Sequence, residues 1–280
     1  MSVADPVSPA GPKGSLPPLG LRLGVILSLL FLLIGFVSIS WTPYPLDRVS
    51  VAEQLQDPGI LHWLGTDHQG RDLLSLAMRG MLTSFVVSAV AVAIGFAFGV
   101  PLGVAVAGWG RRMGSTGDFL LLFPALVVAI LIAATSGPGA VSAMIAIGVV
   151  EIGIFTGATS DAVAKLGRHA YVDAARLAGM NAWEAAKRHV LPELSRHLLL
   201  QVVIQLATGV LAEATLSYVG LGTQPPGTSL GLMLREAQSF VLFEPQLALV
   251  PGIAIVAIVL CLNLVADGLG KYWGGGGVAA

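Results

Sequence analysis

Six long runs of apolar side chains dominate this sequence and leave a folded chain little choice of architecture. They extend from Leu23 to Trp41, Met81 to Ala107, Asp118 to Thr135, Ala140 to Thr159, Leu198 to Val219 and Leu247 to Ala266. A helix needs about 20 mainly apolar residues to cross ~30 Å of hydrocarbon. Inside lipid the backbone must satisfy its own hydrogen bonds, so only helices and closed barrels span it. The short alternating segments of an outer-membrane barrel are not seen. The expected fold class is therefore all-α, a polytopic membrane protein with six transmembrane helices. Charge agrees, since 11% of residues are charged against about 25% in soluble domains. A net charge of -1 offers no basic surface to nucleic acid. Cys261 is the single cysteine and has no internal partner for a bridge.

The first run is longer than the apolar part of a signal peptide, and Trp41-Thr42-Pro43 follows it instead of a small-residue cleavage site. It reads as a retained helix. Lys and Arg set the orientation, because they concentrate on the cytoplasmic side. With both termini cytoplasmic, only Arg48, Arg71, Arg79 and Arg235 of the 15 basic residues fall outside. Four segments follow. Residues 1–20 are a Pro/Gly-rich disordered tail, and residues 21–80 carry the first helix and an outer segment. The main transmembrane domain occupies 81–271, with an inner loop at about 160–197, and a flexible tail covers 272–280.

Within the second run Gly95, Gly99 and Gly103 recur at four-residue spacing, which bares one helix face to a close neighbour. Pro101 is expected to break or bend that helix, and Pro124 and Pro251 to do the same in the third and sixth. Glu151 and Glu213 lie inside apolar runs, where a charge at mid-bilayer costs about 2.5–3.5 kcal/mol. Glu151 is either a pathway carboxylate or a carboxyl held by a neighbouring helix. For Glu213, near the outer boundary, the second reading is favoured. The outer residues His62, Asp67 and His68 lack the spacing of a closed metal site, and no cysteine lies near them. A self-pairing loop built on Asp67, Arg71 and Asp72 is expected instead, with no resident metal or cofactor.

The inner loop is the most specific segment. From Tyr171 to Pro192 it reads as two short helices around Gly179. Asp173 lies near the start of the first, where negative charge is favoured, and Gly179 ends it. Asn181 caps the second, with Glu184 three residues on as its capping-box partner and Trp183 between them. Pro192 stops or redirects the chain before the fifth span. Ala174 and Ala175 give a slim knob with little entropy to lose on docking. Such a unit is suited to insertion into a groove on a cytoplasmic partner.

This loop resembles the EAA loop of ABC importer permeases, E-A-A, three residues, G, nine residues, I-x-L-P. Asp173 stands for the Glu, Gly179, Leu191 and Pro192 fall at the family spacing, and His189 replaces the Ile. The block Leu64-Gly65-Thr66-Asp67-His68-Gln69-Gly70-Arg71-Asp72 is similar to the LGTDxxGRD signature of the peptide and nickel branch. Glu213 to Pro226 and Asn263 to Gly268 resemble its EAxLSFLGLGxxPP and NLxGDxL blocks. The whole resembles the C-type permease subunit of dipeptide/oligopeptide/nickel ABC importers. That resemblance implies the type I importer permease fold with a cytoplasmic coupling helix, a place in the inner (plasma) membrane, and no catalysis by this chain. It also implies four kinds of partner: a second homologous permease, two ABC ATPases, an external solute-binding protein and the lipid bilayer. The G-x-x-x-x-G-K-[ST] phosphate loop is absent from the sequence, in keeping with ATP hydrolysis elsewhere. An ion-coupled secondary transporter is the alternative; it would carry an internal repeat and a midplane polar cluster.

Overall fold

The computed structural model describes residues 17–108, 125–166 and 191–273. Their helices are α1 (Leu19–Ser40), α2 (Leu73–Gly108), α3 (Ala125–Ser136), α4 (Ala140–Leu166), α5 (Leu191–Val219), α6 (Leu230–Ala237) and α7 (Gln246–Trp273). A 3-10 turn at Val51–Glu53 and one isolated bridge between Thr66 and Asp72 complete the regular structure among the described residues. Among the described residues, five helices are long and apolar enough to cross a membrane. The expected third span is described only from Ala125, as a helix of 12 residues.

The helices outrun their apolar cores. Pro17 and Pro18 lie just before α1, Trp41 turns to extended backbone at its end, and Pro43 follows. The second helix starts at Leu73, eight residues before its apolar run, because Asp72 caps it: the carboxylate accepts from the Ser75 amide at 2.8 Å and the Ser75 hydroxyl at 2.7 Å. Pro101 does not interrupt α2, nor Pro251 α7, and both helices continue on either side. Proline removes one ladder bond, which a long buried helix tolerates in a membrane bundle. Pro192 lies inside the first described turn of α5; the residues that lead into it lie outside the described residues. Pro124 lies outside the described residues.

Close approach between helices uses small residues. The bare face of α2 meets α4 running in the same direction: Gly95 lies on Glu151, Gly99 on Ile152 and Phe155, and Gly103 on Thr156 and Thr159. A side chain at Gly99 would come within 2.6 Å of the Ile152 carbonyl. Thr156 donates from its hydroxyl to the Gly99 carbonyl at 3.3 Å. At the other flank Gly24 of α1 meets Cys261 and Val265 of α7, and Gly268 meets Leu21, so α1 is an integral, antiparallel member of the bundle. The long α2 occupies the centre. One apolar core joins it to α5, α6 and α7 through Leu76, Val210, Leu230 and Ile255. A second joins it to α3, α4 and α5 through Val87, Ala129, Ala146 and Leu216. Residues 41–72, 137–139 and 220–245 all gather at one end, hereafter the loop-rich end; Gly108 and Leu191 mark the opposite end.

Candidate functional site

At the loop-rich end, Gly65, Thr66, Asp67, Gly70, Arg71 and Asp72 form one turn in which each residue has a structural duty. Gly65 and Gly70 adopt φ of +80° and +75°, and a side chain on Gly70 would collide with the Ser50 carbonyl. Thr66 is fully buried; its hydroxyl accepts from the Gln56 amide at 2.8 Å and donates to the Glu53 carbonyl at 2.5 Å. One Asp67 oxygen accepts from the amides of Gln69 and Arg71, both at 2.8 Å, which closes the turn. The other receives Arg71 Nε at 2.6 Å.

Two features differ from the expected self-pairing. Asp72 does not join Asp67 and Arg71. It caps α2 and pairs with buried His62 at 3.0 Å, whose ring packs 4.4 Å from that of Tyr44. Arg71 instead reaches a second carboxylate, Glu236 of α6, at 2.8 Å. A 165-residue separation hid that partner from sequence reading. Beside it, His68 stacks on Phe240 at 5.3 Å. Ligand atoms of Asp67, His68 and Glu236 lie within 4.8 Å of one another. The cation shared by the two carboxylates is the Arg71 guanidinium, so the group reads as an ion-pair clamp tying the outer segment to α6.

Glu213 and Glu151 are buried in different surroundings. Glu213 is fully buried and accepts from Ser217 Oγ at 2.6 Å and Thr223 Oγ1 at 3.5 Å. Ser217 Oγ also accepts from the Thr223 amide at 3.0 Å. The carboxyl thus fastens the end of α5 to the turn that follows; its partners lie on its own helix and that turn, not on the neighbouring helix expected from sequence. Glu151 packs against Gly95 between α2 and α4 and is 3% exposed. In both residues Oε2 has no hydrogen-bond partner among the described residues.

An apolar cleft of about 800 Å³ separates α2 from α5, lined by Val92, Phe96, Val100, Leu198 and Val202 among others. Neither buried glutamate lines it. The cleft reaches Val104 and Leu194, four residues from the last helical residue of α2 and three from the start of α5. Of the inner-loop residues, Leu191 and Pro192 begin α5; Asp173, Ala174, Ala175, Gly179, Trp183 and Glu184 lie outside the described residues. Residues 160–166, assigned to the loop from sequence, prolong α4.

Comparison with known proteins bears on this arrangement. The family model for the binding-protein-dependent transport system inner membrane component matches residues 99–273. A dipeptide transport system permease protein of Alkalihalophilus pseudofirmus is 32% identical over 251 residues, covering 88% of this chain and 83% of the relative. A glutathione transport system permease protein of Pectobacterium atrosepticum is 31% identical, covering 86% and 82%. A putative peptide transport system permease protein of Brucella suis is 34% identical, covering 89% and 85%. Among solved structures, a chain of the methionine ABC transporter in an inward-facing conformation superposes with a TM-score of 0.58 at 18% identity, over 69% of this chain and 93% of that one. At that identity the likeness concerns the fold.

Proposed function

Because this chain belongs to the family of binding-protein-dependent transport system inner membrane components, we propose that it is the membrane gate of an ATP-driven importer of small peptides. The observation that carries this reading is the family match across residues 99–273, which takes in the EAA-like sequence between α4 and α5. The relatives are permeases of dipeptide, glutathione and peptide transport, which favours peptide-like cargo over nickel chelates and a permease over an ion-coupled carrier. Two ATPases bind at the cytoplasmic end, a second homologous permease completes the pathway, and an external solute-binding protein delivers cargo to the loop-rich end. Both termini are cytoplasmic. The loop around Asp173 to Gly179 is the lever, with Trp183, Glu184, Leu191 and Pro192 supporting it. When the ATPases close, the lever moves as a rigid element, α4 and α5 follow, and the gate changes access.

The test is uptake of labelled dipeptide and of glutathione by membrane vesicles holding the chain with its co-encoded subunits. ATP-dependent uptake of either supports the reading; uptake driven by an ion gradient without ATP refutes it. Gly179→Trp should abolish uptake while ATP hydrolysis persists and the chain still inserts. Normal uptake by that variant removes the lever from the mechanism.

A further inference from the structure

A second apolar cavity, of about 510 Å³, opens at the loop-rich end between α1, α2 and the outer segment. Its volume lies within the range of about 300–1,000 Å³ typical of small-molecule sites. Ile34 on α1 faces Leu74 and Met78 on α2, and Trp41, Tyr44 and Trp63 form the rim. Three features select its occupant. First, depth: Trp41 directly follows the last residue of α1 and Leu74 is the second of α2, so the cavity sits where the spans end. Trp and Tyr concentrate at that level because an apolar ring with a polar edge suits the headgroup boundary. Second, continuity: the cavity opens beside the exposed flank of α1, where Leu33 and Phe36 present more than half their surface. That flank faces acyl chains. Third, charge: the half-exposed Arg48 guanidinium lies 5.9 Å from the centre of the Tyr44 ring and puts a cation at the rim. Its pair with Glu53, at 3.2 Å and partly exposed, is of the weak surface kind. Asp72, the acidic group in the wall, is committed to His62 and Ser75.

We propose that this cavity holds one acyl chain of an anionic outer-leaflet phospholipid, whose phosphate is met by Arg48. The lipid wedges between α1 and α2 at their loop-rich ends, where direct contact between the two helices gives way to the cavity. The inference is independent of the cargo and of the coupling loop.

The experiment uses the full chain with its copurifying subunits in nanodiscs of phosphatidylglycerol, doped with an analogue carrying a photoactivatable diazirine in its acyl chain. Labelled positions are read by peptide mass spectrometry. Label is expected on Leu74 and on Met78, which is 6% exposed and lines the cavity. Ile34→Trp, filling the cavity from α1, should cut labelling of Met78 about tenfold, equivalent to ~1.4 kcal/mol. Leu74→Phe repeats the test from α2 if the first variant folds poorly. Arg48→Gln should lower it severalfold in phosphatidylglycerol and leave it unchanged in phosphatidylcholine. Label confined to Leu33 and Phe36, Met78 labelling indifferent to Ile34→Trp in folded protein, or a crosslink from position 63 showing another protein chain seated in the cavity would each overturn the proposal. Labelling unaffected by Arg48→Gln would overturn the assignment of the headgroup.

Discussion

Arg71 binds Asp67 four residues back and Glu236 on a different element, and both bonds are largely shielded from water. A guanidinium is suited to this because its planar fork presents several donors at once. A double-mutant cycle between Arg71→Ala and Glu236→Gln should give a coupling of about 0.5–3 kcal/mol, measured by thermal unfolding in detergent; additive losses would dissolve the clamp. Asp72→Ala should cost about 1 kcal/mol for the lost cap and a further ~1–3 kcal/mol for leaving His62 Nδ1 unpaired in a buried site. Asp72→Asn should recover part of this. At this scale the residue types were legible and the partners were not. Gly65, Asp67, Gly70, Arg71 and Asp72 stand out in the sequence as a turn motif. Nothing in local sequence connects Arg71 to Glu236, because that pairing exists only once α5 and α6 have returned the chain to the same end of the bundle.

Among the elements, the α2–α4 contact makes the sharpest demand on side-chain size. Gly99 faces the Ile152 carbonyl and the Phe155 Cβ, each closer than a real Cβ tolerates, whereas Gly157 on α4 has nothing near it among the described residues. Gly99→Ala must push two helices apart and should cost about 1–3 kcal/mol. Gly157→Ala meets no neighbour and should stabilise by up to ~1 kcal/mol through helix propensity alone. Equal melting temperatures for the two variants would refute the packing argument. The four-residue glycine spacing announced this contact, since a bare helix face serves close packing in a membrane. The spans were legible for a similar reason, because lipid leaves an apolar run of that length no other structure. Their ends were not: Asp72 extends α2 and residues 160–166 extend α4 by capping and helix continuation, signals that hydropathy does not carry. A break at Pro101 did not follow, because that half of the expectation came from soluble helices, where water competes for the freed carbonyl.

For the whole molecule, the order of helices and the distribution of charge make one joint statement about direction. Antiparallel packing of α1 on α7, and of α5 on α2, puts residues 41–72 and 220–245 together, whichever way the bundle sits in the bilayer. Only the basic residues choose between the two orientations: Arg48, Arg71, Arg79 and Arg235 belong to the loop-rich end, and the rest of the 15 belong to the other. The loop-rich end is therefore expected to face outward. Cysteine placed at exposed Asp57 should react with a membrane-impermeant maleimide in intact cells, and cysteine placed at exposed Lys165 only after permeabilisation. Buried Cys261 leaves the background low. The opposite pattern would put the loop between α4 and α5 outside the cell, beyond the reach of any ATPase, and the coupling mechanism would fall with the orientation.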